Sequence, residues 1–242
     1  MSELKVKQQV RQFYDQVGWQ KVSDGIYQNA RYEDLRPVAA EYIHGCHMRV
    51  TQFLNPGGRF LLDVGSGPVQ YPEYVTYSEH YQYRVCLDIS LVALMEARDR
   101  LGEHGLYVVS DAANLPFSKT SFDGLVSLHT LHHLPLEEQQ KAYHEFYRVL
   151  SPGRRAVVVN GWTDSVLMRL SQPLVYIMES MGQRVASRRG VNKPTEQKPA
   201  SRPEKKEPTG TFIRKMDAVW LRKTLGHEMN YEIRVWRSVS VR

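Results

Sequence analysis

The sequence predicts an α/β protein. Its core is a doubly wound, mostly parallel sheet, with N-terminal helices and a helical insertion after the fifth strand. Three observations point there. Short runs rich in Val, Leu and Ile alternate with helical runs, as in strands covered on both faces. A glycine-bearing turn, Gly65-Ser66-Gly67, directly follows the first of these runs. Three acids, Asp63, Asp88 and Asp111, stand at the ends of successive strands. With 242 residues, 42% of them hydrophobic, the chain can bury a substantial core.

Residues 3–17 read as an amphipathic helix, with Val6, Val10, Phe13, Tyr14 and Val17 near one face. Gly18 and the Ser23-Asp24-Gly25 turn end it. A second helix is expected from about Tyr32 to Leu54, stopped by Asn55-Pro56-Gly57-Gly58. Strands are expected at 59–64, 83–89, 106–111, 122–130 and 155–161. Helices are expected at 91–102 and 136–150, the latter broken by Ser151-Pro152-Gly153. Beyond Trp162, residues 164–186 look helical, with Pro173 interrupting the run. Residues 187–210 mix four prolines with Lys, Glu and Ser, a composition that does not support a packed core. A helix at 214–225 and an alternating strand at 231–241 close the chain. The expected organisation is therefore 1–57, an N-terminal helical cap; 58–162, the α/β core; 163–186, a helical insertion and substrate wall; 187–210, a linker; and 211–242, a helix and strand completing the sheet.

Composition narrows the function. No apolar run reaches the length of a membrane-spanning helix, and the first residues lack an apolar signal region, so a cytoplasmic protein is expected. The two cysteines, Cys46 and Cys86, exclude a disulfide scaffold and a Cys-rich zinc module. The net charge is +6, but eight basic and three acidic residues at 184–208 account for nearly all of it. So local an excess is weak support for nucleic-acid binding, and a solvated tether is favoured over docking on RNA or anionic lipid.

The glycine turn lets the backbone bend sharply and approach a ligand without a Cβ in the way. Pro68 suits the first turn of a helix. Asp88 lies 21 residues after Gly67, where a carboxylate can accept from ribose hydroxyls; Asp88 and Ser90 can equally cap the helix at 91. Asp111 is placed to accept from an adenine amino group or to sit in an exposed turn. A dinucleotide fingerprint needs a third glycine where Gln70 stands, and no P-loop lysine follows, so nicotinamide binding is the weaker reading.

The stretches LLDVGSGP, CLDIS, SDAANLPFSKTSFDGLVSLHTLHHL and FYRVLSPGRRAVVV resemble class I S-adenosylmethionine-dependent methyltransferases, in particular the type 11 group that includes quinone-biosynthesis enzymes. The resemblance covers roughly residues 58–162. It implies that Asp63, Val64, Gly65, Ser66 and Gly67 surround the methionine part of the cofactor. It further implies that Asp88 holds the ribose, Ile89 packs on adenine, Asp111 and Ala112 line the adenine edge, and Ser127, Leu128 and His129 flank the sulfonium. Two positions depart from the pattern: Val69 replaces a glycine, and Pro152-Gly153-Arg154 replaces Pro-Gly-Gly. The fold usually closes with an antiparallel pair, whereas this chain ends soon after its sixth expected strand.

The expected activity is methyl transfer from S-adenosylmethionine to a small-molecule O, N or C acceptor, with S-adenosylhomocysteine as product and no metal. His129, His132 and His133 are candidate general bases, against the alternative of helix capping or cofactor contact. Tyr14, Tyr27, Tyr32 and Trp162 are candidate substrate or lid residues, against plain packing. The Asn/Asp-Pro-Pro-Tyr motif of DNA amino methyltransferases is missing after the fourth strand, so DNA is not expected as acceptor. An NAD(P)-dependent oxidoreductase and a catalytically silent cofactor-binding fold are the alternatives.

Overall fold

The structure is a computed structural model, which describes residues 3–23, 26–27, 37–54, 57–161, 173, 211–234 and 236. Five strands form one parallel sheet: β3 (Gly58–Val64), β4 (Tyr81–Asp88), β5 (Gly105–Val109), β6 (Phe122–Leu128) and β7 (Leu150–Val159), in the order β5-β4-β3-β6-β7. A separate antiparallel pair, β1 (Lys21–Ser23) and β2 (Ile26–Tyr27), precedes it. The winding reverses between β3 and β6. The carboxyl ends of those two strands therefore flank the crevice where open α/β sheets take ligands.

Side-chain alternation sorts the core into two layers. Leu62, Val64, Val85, Leu87 and Leu125 face α5 (Leu136–Val149) and α6 (Ala218–Leu225). Leu61, Cys86 and Val126 face α4 (Leu91–Leu101) and the tyrosines Tyr74, Tyr77 and Tyr81. The second layer also holds a buried ion pair: Arg84 donates through Nε to Asp63 Oδ2 at 3.0 Å and also through its terminal nitrogen.

Several expectations shift. The first helix, α1 (Glu3–Phe13), passes into a π-turn at Tyr14–Gly18. The described part of the second is α2 (Pro37–Met48), followed by a 3-10 turn at Arg49–Gln52; Pro37 occupies its first turn, where no N–H is required. No helix starts at Pro68. Gly67 and Val69 have φ of +54° and +52°, which no right-handed helix allows, so α3 (Pro72–Thr76) begins four residues later. Ser151-Pro152-Gly153 does not separate helix from strand. It forms a bulge inside β7, where register jumps from Phe122–Leu150 to Gly124–Arg155 and Gly153 takes φ +75°. The C-terminal helix starts only at Ala218, capped by Asp217, which accepts from the Trp220 amide at 2.8 Å. Residues 231–234 belong to no ladder, so the expected strand is not formed there; 237–241 lie outside the described residues. The expected insertion and linker also lie outside them, apart from position 173, as do Tyr32 and Trp162. No helix among the described residues is long and apolar enough to cross a membrane.

Candidate active site

The glycine turn leaves the end of β3 with Gly65 at φ +70° and Gly67 at +54°. Gly65 has no room for a side chain: a Cβ there would lie 2.1 Å from Thr130 Oγ1. Thr130 and Ser127, from the end of β6, both donate to the Val64 carbonyl, at 3.3 and 2.9 Å, and so tie the two crevice strands together. Val69 is fully buried in a left-handed conformation, a strained state for a β-branched residue, and it packs with the second core layer.

The turn's amides face inward. Gly65 and Ser66 donate to the Leu87 carbonyl at 2.7 and 3.2 Å, and Gly67 donates to Asp88 Oδ2 at 2.9 Å. A pyrophosphate requires unengaged amides at a helix N-terminus. Here the three amides are engaged and the next helix starts at Pro72, which argues against a dinucleotide ligand.

Asp88 is almost buried, and its other oxygen accepts from the Ser90 amide at 2.8 Å. Burial outweighs these bonds and pushes its carboxyl up to about 6. Each oxygen still has a lone pair for a ligand hydroxyl. Ser90 caps α4 by accepting from the Ala93 amide, as its position suggested. Half-buried Ile89 and buried Ala112 adjoin this edge. Asp63 is different: its carboxylate is held against Arg84 inside the sheet, and burial raises its pKa against the guanidinium's pull. Asp111 accepts from the Ala113 amide at 3.0 Å and from Asn114 at 2.7 Å.

The carboxyl rim is not bare. The N-terminal segment crosses it in four places. Lys7 donates to Asp111 at 2.5 Å and also to buried Glu138. Asp15 accepts from the Ser90 hydroxyl at 2.5 Å. Tyr14 bonds His133 Nε2 at 2.7 Å and stacks on Trp19 with centroids 5.0 Å apart. The Trp19 indole lies over Gly67, where a Cβ would come 2.8 Å from Cη2, and its buried Nε1 has no hydrogen-bond partner among the described residues. Tyr27 is buried, donating to Glu96 at 3.1 Å and lying within 3.4 Å of Arg100, with its ring edge-on to the Trp19 indole at 6.0 Å.

The three histidines separate. His133 has both nitrogens engaged, Nδ1 on the Phe212 carbonyl at 2.8 Å and Nε2 on Tyr14. His132 is pushed down to about 2 by burial and by its histidine neighbours, and so stays neutral. His129 is exposed, takes φ +56°, and has its ring 5.0 Å from Trp236. Sequence reasoning missed Lys7, Trp19 and Thr130. Arg84 had a partial signal, a lone cation within an apolar strand, but its pairing with Asp63 shows only in the strand register.

Comparisons agree with this architecture. The family described as "Methyltransferase domain" matches residues 62–158. A tRNA (carboxymethyluridine(34)-5-O)-methyltransferase of Arabidopsis thaliana is 32% identical over 165 residues, covering 64% of this chain and 39% of that protein. Methyltransferase GfsG of Streptomyces halstedii is 30% identical over 118 residues, covering 45% and 41%. The chain spans between 27% and 41% of the length of the curated relatives it matches. Phosphoethanolamine N-methyltransferase 1 of Haemonchus contortus, solved with phosphoethanolamine and S-adenosylhomocysteine, superposes with TM-score 0.56 at 12% identity, covering 68% of this chain and 34% of that one; it shares the fold. The parallel sheet, the glycine turn and the acid that ends β4 all belong to or adjoin the segment, residues 62–158, that is similar to the methyltransferase domain family.

Proposed function

We propose that the protein transfers a methyl group from S-adenosylmethionine to a small, uncharged O, N or C acceptor at the carboxyl ends of β6 and β7. The observation that carries this reading is the Gly65–Gly67 turn, whose inward amides and link to Asp88 suit an adenosyl group without phosphates. The residues that hold the cofactor are the Asp63–Gly67 turn, Asp88 and Ile89 on the ribose side, Asp111 and Ala112 on the adenine side, and Ser127–His129 opposite. Within the turn, Asp63 acts through Arg84 and the strand it anchors rather than by direct contact. When bound, the cofactor supplies an electrophilic methyl group on a sulfonium.

The protein's part is alignment and exclusion of water. Asp88 accepts the ribose hydroxyls. Trp19, which lies over Gly67, moves to admit the cofactor and then covers it, with Tyr14 stacked on its indole. His129 takes a proton from an acceptor hydroxyl or N–H, because His133 is fully engaged and His132 is too weak a base. A second reading, a modified uridine in RNA as acceptor, is favoured by the Arabidopsis relative. Isothermal titration with S-adenosylhomocysteine tests the cofactor assignment, and absence of heat at millimolar ligand rejects it. Transfer of labelled methyl to nucleoside, phenol and amine panels then tests the acceptor.

A further inference from the structure

The cover over the glycine turn carries a hydrogen-bond donor that the chain itself does not use. Three contacts hold the Trp19 indole: it stacks on Tyr14 at 5.0 Å, meets Tyr27 edge-on at 6.0 Å, and lies over Gly67. Its Cζ2, two bonds from Nε1, is 3.0 Å from where a Gly67 Cβ would lie, so the N–H stands beside the turn. Nε1 is shut from solvent and has no hydrogen-bond partner among the described residues. The donors around it are committed elsewhere. The Gly65, Ser66 and Gly67 amides donate to the Leu87 carbonyl and to Asp88. The Ser66, Ser127 and Thr130 hydroxyls donate to the Gly67 and Val64 carbonyls. Lys7 holds Asp111 and Glu138, Arg84 holds Asp63, and Arg100 donates to the Val69 and Gln70 carbonyls at 3.2 and 3.1 Å.

A buried indole N–H ordinarily finds an acceptor, because burial without one forfeits its bond to water. Trp19 lies on the turn assigned to the methionine part of the cofactor, which ends in an ammonium and a carboxylate. An indole N–H only donates, so the ammonium is no partner for it. The carboxylate is the cofactor's only anion. It accepts at both oxygens, and a hydrogen bond to it is charge-assisted. We propose that Trp19 Nε1 donates to the amino-acid carboxylate of the cofactor, so that the cover closes fully only on a ligand that carries this group. This rests on the cofactor reading and deepens it. Trp19 becomes a specificity residue that separates the intact amino-acid cofactor from adenosyl thioethers without a carboxylate. A cover acting through ring area alone would hold both kinds of ligand alike.

The test is calorimetric titration of wild type and Trp19→Phe with two ligands. One is S-adenosylhomocysteine. The other is S-adenosyl-3-thiopropylamine, which keeps the adenosine, the sulfur and the amine and lacks the carboxylate. Trp19→Phe keeps an aromatic cover and removes the donor. Expected in Trp19→Phe is a loss of about tenfold or more for S-adenosylhomocysteine, as for a charge-assisted hydrogen bond, and a change within about twofold for the amine ligand. A second measurement uses the wild-type protein alone and so does not depend on the variant folding. The Trp19 Nε1–H proton resonance, assigned through its contacts with Tyr14 and Tyr27, should move downfield on saturation with S-adenosylhomocysteine and not with the amine ligand. Equal losses for the two ligands, an unchanged S-adenosylhomocysteine affinity in Trp19→Phe, or an indole resonance that does not respond to the carboxylate overturns the proposal. Absence of heat from S-adenosylhomocysteine with wild type rejects the cofactor reading itself and the proposal with it, so the two failures are distinguishable.

Discussion

Replacing Arg84 with Met tests the interior of the cofactor half of the sheet. Arg84 and Asp63 are 1% and 4% exposed at their side chains, and the guanidinium is the carboxylate's only ion-pair partner among the described residues. Removing one member of a buried pair leaves an uncompensated charge and costs about 3–5 kcal/mol. For a chain of this size that corresponds to a fall in Tm of roughly 6–20 °C. The loss should depend on pH. Burial already raises the Asp63 pKa, and without Arg84 it rises further. The folded variant then binds a proton that the unfolded chain binds only near pH 4, so its deficit shrinks as pH falls from 7.5 to 5.5. Urea unfolding followed by circular dichroism at both pH values reads this directly. Asp63→Leu combined with Arg84→Met should recover most of the stability, since a well-packed apolar pair replaces a buried ion pair at little cost. An Arg84→Met variant within about 1 kcal/mol of wild type, or a double variant no more stable than the single one, refutes the reasoning.

Asp88→Ala should weaken S-adenosylhomocysteine binding by about tenfold or more in calorimetry, as for a lost charge-assisted hydrogen bond. Because burial holds Asp88 near 6, wild-type affinity should fall as pH drops through 6, and the Asp88→Asn profile should be flat. The sign for stability is opposite: the folded form keeps a proton that the unfolded chain releases between about 6 and 4, so Asp88 favours folding increasingly as pH falls through that window, seen as a rising urea midpoint lost in Asp88→Asn. Trp19→Ala should weaken S-adenosylhomocysteine binding in calorimetry, because the indole that covers the ligand is lost; unchanged or tighter binding would refute its part as a cover. Lys7→Met should lower stability by about 1–3 kcal/mol in urea unfolding, since among the described residues buried Glu138 then keeps only Lys141 as an ion-pair partner, whose side chain is 54% exposed.

Much of the sheet was legible because its strands are continuous apolar runs bounded by glycine, proline and acids, and Asp88 because its spacing from the glycine turn follows from the fold. Errors came where local and tertiary forces differ. Pro68 carries a helix-start signal, but left-handed backbone on either side overrides it. Ser151-Pro152-Gly153 reads as a break, yet the ladder absorbs it as a bulge. Asp63 looks from sequence like its neighbours at the rim, and only the pairing register shows that Arg84 neutralises it. Trp19 and Lys7 were not found because their partners are 48 or more positions away, in Gly67, Asp111 and Glu138, and no periodicity records such contacts.

With Gly65, Ser66 and Gly67 all donating to β4 and its terminal acid, the turn has its final shape before any ligand arrives. Loading the protein should therefore leave amide exchange at these three positions slow and nearly constant. The change should fall instead on Tyr14–Trp19, so conformational entropy lost on binding is drawn from the cover and not from the cradle.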